Sequence, residues 1–318
     1  MHDIFMPNGE IDKAKIWRRE PLYRGMNGSV VQRIYMTPSA TAIFKPLTNN
    51  EQLGKEVWVY ENILPALPPV FPQLLAHSQP ACSSTPWLLL EDFGSLNHVF
   101  DEKTASALLG HVAQWHALPT CHLHHAPLRG PKPYADTLQV ELFPSGTPMD
   151  KLAEQWPSIP TAILHDMLRQ LRDASFSLNE PVLSHGDLHL GNYALVGGQV
   201  KVLDWEHAHF NSRYWDLYHI IDLSHPTFPK EMTIAVRERL LDRYLLLTQP
   251  NHTPAAAASF KRGYYLYSSL FSLWMLKLIA NDIRMDKGIW PLDHLKKQLH
   301  EAEANLKQCV VSFMQIYS

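Results

Sequence analysis

The residues best suited to chemistry are Ser184-His185-Gly186-Asp187-Leu188-His189-Leu190-Gly191-Asn192, followed by Val202-Leu203-Asp204-Trp205-Glu206. Asp187 and Asn192 are five positions apart, and Asp204 comes twelve after Asn192. Phosphoryl transfer asks little covalent chemistry of a protein. It needs a carboxylate to orient and deprotonate the attacking hydroxyl, and oxygen ligands for the Mg²⁺ that bridges the phosphates. A loop Asp, an Asn five on and an Asp at the end of the next hairpin can supply those three parts. Asn and Asp offer the hard oxygens that Mg²⁺ takes. Gly197-Gly198 reads as the turn of that hairpin, from Tyr193–Val196 to Val200–Leu203. It brings Asn192 and Asp204 back to one place. A bare His-Gly-Asp triplet is a weak signal, equally a polar turn. The triplet with Asn at this spacing and an Asp closing a Gly-Gly hairpin is far more specific.

The segment resembles the aminoglycoside phosphotransferase and choline kinase superfamily, relatives of the protein kinases, in which His-Gly-Asp is the form taken by the catalytic loop. The resemblance implies an α+β, bilobal protein-kinase-like fold, with a small β-rich N-lobe and a larger, mainly helical C-lobe. It implies ATP and Mg²⁺ as cofactors, Asp187 as the catalytic base, and Asn192 and Asp204 as metal ligands. It covers roughly residues 22–222. Asp204 is followed by Trp-Glu, where a protein kinase would have Phe-Gly. The continuation through Asn211, Arg213, Trp215 and Asp216 is closer to the choline kinase pattern. Glu206 then either adds a metal contact or ties down its loop. Asp216 is expected to brace the catalytic loop by hydrogen bonds rather than react. The chain has no Ala-Pro-Glu segment and no long activation loop between Asp204 and Asp216, which argues against protein substrates.

A nucleotide clamp is then expected upstream. In Arg24-Gly25-Met26-Asn27-Gly28-Ser29, Gly25 and Gly28 let the backbone approach phosphates, and Asn27 or Ser29 can donate hydrogen bonds. No Walker A sequence occurs, which disfavours a P-loop fold. Lys45 ends the strand-like run from Thr41 and can pair the α/β-phosphates. Its carboxylate partner is expected on the next helix. Glu56 and Glu61 flank the apolar face about equally, and Glu56 is chosen because its position resembles the family spacing. Leu88-Leu89-Leu90-Glu91-Asp92-Phe93-Gly94 resembles the family's hinge, where the Glu91 carbonyl and the Phe93 amide would meet the adenine edge.

These residues need elements to hold them. Ser29–Tyr35 and Thr41–Lys45 read as strands joined around Pro38-Ser39, and Trp87–Leu90 as a buried strand. Glu51–Leu64 reads as a helix with Leu53, Val57, Tyr60 and Leu64 on one face and Pro65 ending it. From Asp101 apolar residues recur at helical spacing through His116, and Pro119 ends the run. Cys121–Pro160 reads as loops with short elements, and Thr161–Leu178 as a helix. Beyond the Val182–Trp205 strands the rest reads as helical, including Leu292–Phe313. The expected organisation is a nucleotide-binding lobe over 1–92 and a catalytic and acceptor-binding lobe over 93–318.

Composition narrows the partners. The 318 residues carry 28 Lys+Arg against 31 Asp+Glu, a net charge of −3, with no long run of like charge. A nucleic-acid binder with a basic stripe is therefore not expected. The three cysteines are far apart and form no CxxC pair, which suits a reducing cytoplasm rather than a disulfide scaffold. No signal peptide is visible in Met1–Glu20. Tyr264–Ala280 is apolar but contains Lys277 and is shorter than the ~20 residues of a membrane span, so it reads as a buried helix. A small-molecule acceptor is the expected partner, with no nucleic acid and no membrane; the oligomeric state is not encoded in any recognisable pattern.

The acceptor is least legible. A choline-type site needs aromatic faces around a quaternary ammonium. Trp205, Tyr214, Trp215, Tyr264, Tyr265, Tyr267, Trp274 and Trp290 are candidates, although aromatics at such spacings more often form core. Sugars, aminoglycosides and other amino alcohols stay open. Histidine is abundant at 18 residues and glycine scarce at 14. His122, His124 and His125 lack a completing Cys or acid and read as a solvated loop, His116 as a core residue, and His185 as an organiser of the catalytic loop. The rival reading is a kinase-fold protein with a structural or binding role, like the coat-associated relatives of spore formers.

Overall fold

Short apolar runs separated by Gly, Pro and polar turns fold the first part of the chain into strands. The computed structural model describes residues 4, 11–25, 28–78, 86–121, 123, 125–130, 133–144, 146–154, 156, 161–175 and 180–316. Asn27, Cys82, His122 and His124 lie outside the described residues. The chain divides into two compact units. The first comprises 1–98, 125–128 and 192–208, and the second 99–124, 129–191 and 209–318.

In the first unit β1 (Arg18–Arg24), β2 (Val30–Tyr35), β3 (Thr41–Pro46), β4 (Leu74–His77) and β5 (Trp87–Glu91) form an antiparallel sheet in the order β1-β2-β3-β5-β4. The inner strand β5, between β3 and β4, is apolar on both faces, as a doubly covered strand must be, and Trp87, Leu88, Leu89 and Leu90 are all buried. Ile34, Ala42, Ala76, Trp87 and Leu89 form its core.

The helix expected over Glu51–Leu64 is divided. Gly54 has φ +80°, a left-handed conformation suited to glycine, and α1 (Lys55–Asn62) begins only after it. Asn50–Gln52 and Leu64–Ala66 are separate 3-10 turns, and Pro65 lies inside the second rather than stopping the helix. The buried face also differs from the expected one. Leu53 is 42% exposed, whereas Lys55, Glu56, Val59 and Tyr60 are buried. Charge on this face is retained because it meets opposite charge, as shown below.

In the second unit the helices α2 (Glu102–His116), α3 (Ala135–Leu142), α4 (Met149–Ala153) and α5 (Thr161–Asp173) precede the three-residue strand β6 (Val182–Ser184). The helix expected to reach Leu178 thus stops at Asp173, and 176–178 lie outside the described residues. β7 (Tyr193–Val196) and β8 (Gln199–Val202) belong to the first unit. They pair antiparallel across Gly197 and Gly198, whose φ values of +57° and +80° suit a tight hairpin turn. Hydrogen bonds from Val202 N to the Val70 carbonyl (2.7 Å) and from Leu195 N to the Asn97 carbonyl (2.9 Å) fasten this hairpin to the first unit.

The expected all-helical remainder is interrupted by β9 (His209–Asn211), which pairs with β6. After it come α6 (Tyr214–Ile221), α7 (Ile234–Thr248), α8 (Pro254–Met285) and α9 (Leu292–Gln315). Asp101, Thr233 and Thr253 cap α2, α7 and α8 by accepting from Thr104 N, Val236 N and Ala256 N. Among the described residues no helix is long and apolar enough to cross a membrane. Inside this unit Asp222 Oδ1 accepts from Arg237 Nε (2.9 Å) and Nη2 (2.7 Å), and its Oδ2 from Tyr264 (2.6 Å) and Ser268 (2.8 Å). This buried pair ties the end of α6 to α7 and α8.

Candidate active site

In the first unit Lys45 is the centre of the charge. Its Nζ lies 2.6 Å from Glu56 Oε2, 2.8 Å from Asp204 Oδ1 and 3.4 Å from Glu206 Oε2. β3 supplies the lysine, α1 the first carboxylate, and the exit of the β7–β8 hairpin the other two. Glu61 points elsewhere and pairs with His77 at 3.3 Å. Burial opposes the charge on Lys45, but Asp204, Glu56 and Glu206 together hold its pKa well above the usual lysine value. Burial pushes Glu56 the other way, up to about 7, with Asp204 and Glu206 adding repulsion and Lys45 resisting. Glu56 is buried, its side chain 1% exposed, whereas Asp204 is 37% exposed.

Asp204 sits at φ +62°, one of two described non-glycine residues with positive φ. Such strain is tolerated where the surroundings fix it, often at functional sites. The Asn192 carbonyl accepts from Leu203 N at 2.8 Å, so the hairpin base places Asn192 beside the residue preceding Asp204. One carboxylate oxygen from each of Glu56, Asp204 and Glu206 lies within 4.8 Å of the others. The donors are all hard oxygens, the carboxylates outnumber the ammonium, and Glu56 Oε1 is buried without a hydrogen-bond partner. This chemistry fits Mg²⁺ and not a thiophilic metal.

The turn between β1 and β2 closes on itself. Gly25 N donates to the Ser29 carbonyl (2.8 Å), Gly28 N to the Gly25 carbonyl (2.9 Å), and Arg24 Nη1 to the Gly28 carbonyl (2.9 Å). Gly28 has φ +83°. The segment carrying Glu91 and Phe93 is anchored by Asp92, which accepts from Arg33 Nε (2.6 Å), Arg33 Nη2 (3.1 Å) and Gly94 N (2.9 Å). Burial opposes ionisation of Asp92, yet Arg33 and the Gly94 amide hold its carboxyl below the usual range. Lys201 Nζ sits 5.0 Å over the Phe93 ring.

In the second unit Asp187 stands on the loop after β6, and Asp216 at the start of α6 holds that loop. Asp216 is fully buried and accepts from Ser184 Oγ (2.6 Å), His185 N (3.0 Å), Gly186 N (3.3 Å), Trp115 Nε1 (3.0 Å) and His116 Nε2 (3.1 Å). Trp215 Nε1 donates to the Gly186 carbonyl at 2.8 Å. His185 Nδ1 accepts from Asp187 N at 3.3 Å. His189 Nε2 lies 3.6 Å from Asp187 Oδ2.

Most aromatic candidates for an acceptor cage are core. Trp205, Tyr264 and Tyr265 are fully buried, and Trp215 and Tyr267 nearly so. Tyr214 donates to the Phe260 carbonyl and packs on Tyr264 and Tyr267. Trp274 and Trp290 are half-buried. Sequence reasoning missed Arg33, Asp92, Asn49 and Lys55. Asn49 Nδ2 donates to Glu206 Oε1 at 3.2 Å, and burial lowers Lys55 to about 8 against the pull of Glu206. No spacing signals these residues, because each contact is made between distant segments.

Solved structures share this fold at low sequence identity. The GDP complex of wild-type aminoglycoside 2'-phosphotransferase-IIIa superposes with TM-score 0.60 at 13% identity, covering 92% of this chain and 94% of that one. Choline kinase from Cryptosporidium parvum gives TM-score 0.55 at 12% identity, covering 100% and 98%. Macrolide 2'-phosphotransferase from Brachybacterium faecium gives 0.53 at 14%, covering 92% and 93%. No curated protein matches the chain by sequence. The sequence profile described as the phosphotransferase enzyme family matches residues 50–258, more than half of the chain and the stretch that holds Glu56, Asp187, Asn192, Asp204 and Asp216. The chain belongs to the phosphotransferase enzyme family.

Proposed function

We propose that this protein is a Mg²⁺- and ATP-dependent kinase that transfers the γ-phosphoryl group to a hydroxyl of a small molecule, of choline or amino-alcohol, sugar or aminoglycoside type. The observation that carries the reading is Lys45 held between Glu56, Asp204 and Glu206 in a chain of this family. Residues 1–92 serve as the nucleotide-binding lobe and 93–318 as the catalytic and acceptor-binding lobe. The Lys45 ammonium, kept charged and aimed by Glu56, pairs the α/β-phosphates. Gly25, Asn27, Gly28 and Ser29 cover the phosphates, and the Glu91 carbonyl and Phe93 amide meet the adenine. Asn192 and Asp204 hold Mg²⁺, with Glu206 in reach of the same position. When bound, the ion neutralises phosphate charge. Asp187 takes the proton of the acceptor hydroxyl as its oxygen bonds to the γ-phosphorus and the bond to the β–γ bridging oxygen breaks, leaving ADP. The free thiols of Cys121 and Cys309 suit a reducing cytoplasm.

The test has two steps. Mg·ATP at millimolar concentration should raise the Tm by mass action. No shift would favour a non-catalytic, kinase-fold binding role. An ATP-consumption screen over choline, ethanolamine, homoserine, methylthioribose, fructosamines and aminoglycosides, repeated with GTP, then identifies the acceptor and donor. With that acceptor, Asp187→Ala should lower turnover by at least about 10²-fold, as for loss of a general base. Undiminished turnover would refute the role of Asp187.

A further inference from the structure

His189 stands two residues beyond Asp187, and its ring is fixed on three sides. Its Nδ1 accepts the backbone N–H of Gly191 at 2.9 Å. Its face stacks on His225, with centroids 4.4 Å apart and planes within 14°. Phe228 packs on both rings, and Trp290 meets His225 edge-on at 5.6 Å. A Cβ at position 191 would lie 2.6 Å from His189 Cε1 and 2.6 Å from Phe228, so this seat requires glycine. An imidazole nitrogen that accepts an N–H carries no proton, so neutral His189 holds its proton on Nε2. That atom is the one facing Asp187 Oδ2, at 3.6 Å. Contacts of this length in unliganded sites commonly tighten in the reactive complex. Burial, with His189 adding to it, lowers His225 to about 4, and burial lowers His219 on α6 to about 4, each against the pull of Asp187.

We propose that His189 is a positioning residue for Asp187: its Nε2–H, set by Gly191 and held by the His225 ring, engages Oδ2 and fixes the carboxylate that receives the acceptor proton. The inference rests on the reading of Asp187 as the base. A base held by a second group stays in a near-attack geometry, where small misplacements are costly in rate. His189 touches neither nucleotide nor metal in this role, so its loss should appear in kcat and not in the KM for Mg·ATP.

The test uses the full chain, Mg·ATP with water as the acceptor, and phosphate release as the readout. His189→Phe keeps the stack and removes the donor, and His189→Gln restores an N–H near the position of Nε2. The expected result is a kcat about tenfold lower for His189→Phe, KM within about twofold, and recovery of most of the loss in His189→Gln. Wild-type kcat in His189→Phe, or an equal loss in His189→Gln, would overturn the proposal. Independently of turnover, the imidazole ¹⁵N spectrum of the wild-type protein should show the Nε2–H tautomer at His189, and the Nδ1–H tautomer would overturn it. Asp187→Asn is measured alongside: a wild-type rate there refutes the base itself, whereas a low rate there with an unimpaired His189→Phe refutes only the positioning role.

Discussion

Replacing Asp216 tests whether the loop that carries Asp187 is organised by one buried carboxylate. Its two oxygens receive five donors, and the residue is fully buried. Asp216→Ala leaves the His185 amide, the Trp115 indole and His116 Nε2 facing a void. Stranded buried donors cost about 1–3 kcal/mol each, and more where they faced a charge, so the loss is about 3–5 kcal/mol in total once the site relaxes. Asp216→Asn can keep an oxygen at the Oδ2 position for His185 N and Trp115, and the Ser184 hydroxyl can reverse to accept. Its loss reduces to the charge assistance and the long Gly186 bond, about 1–3 kcal/mol. Urea titration followed by tryptophan fluorescence should therefore rank wild type above Asp216→Asn above Asp216→Ala. The pH dependence follows from the same contacts. Burial would raise the Asp216 carboxyl, but His116, by hydrogen bond and charge, and His185 hold it far below the usual range. The unfolded chain titrates near pH 3.9, so the carboxylate's contribution is complete above about pH 5 and is lost as pH falls below the unfolded value. The gap between wild type and Asp216→Asn should accordingly narrow on acidification from pH 6 to pH 3. A gap under about 0.5 kcal/mol at pH 7 for Asp216→Ala, or one that widens in acid, would refute the reasoning.

Two further substitutions test the packing around the same unit. A Cβ at Gly130 would lie 2.4 Å from His209 Cδ2, so Gly130→Ala should cost about 1–3 kcal/mol by overpacking, read as a lower urea midpoint at unchanged slope. Asp222→Ala leaves the fully buried Arg237 guanidinium without its carboxylate and should cost about 3–5 kcal/mol, measured by the same titration, while Asp222→Asn should cost less.

The hairpin of the candidate site was legible because its information is local: Asp187, Asn192 and Asp204 are linked by one short loop and one hairpin, and Gly197-Gly198 announces the turn. The same holds for α2, whose apolar stripe and Asp101 cap are visible in consecutive residues. Elements that resisted reading lack such periodicity. The residues of β1 are exposed or half-buried throughout, so no apolar alternation marks it. β4 and β9 have four and three residues, too few to show a period. α1 misleads because its buried face holds Lys55 and Glu56, which no amphipathicity rule would turn inward. Pairing across the fold reverses the usual cost of burying charge. The aromatic residues fail differently: a cage and a core use the same side chains at the same spacing, and only burial separates them.

Buried carboxylates in this protein fall into two kinds, and the difference locates the unfinished chemistry. Asp216 and Asp222 are saturated with donors, and both are held below the usual carboxylate range against the effect of burial. Each is complete without a ligand. Glu56 is as deeply buried, yet it is pushed upward to about 7, and one of its oxygens has no partner. Lys45 pairs with Glu56, Asp204 and Glu206, and Lys55 is drawn to Glu206, so three carboxylates face two ammonium groups, and Asp204 stays partly open to solvent. A fold that saturates its structural acids so thoroughly has no stability reason to leave this one short of positive charge. On the proposed reading, a cation arriving with the nucleotide would make up this deficit, and the low dielectric around Glu56 would strengthen that attraction.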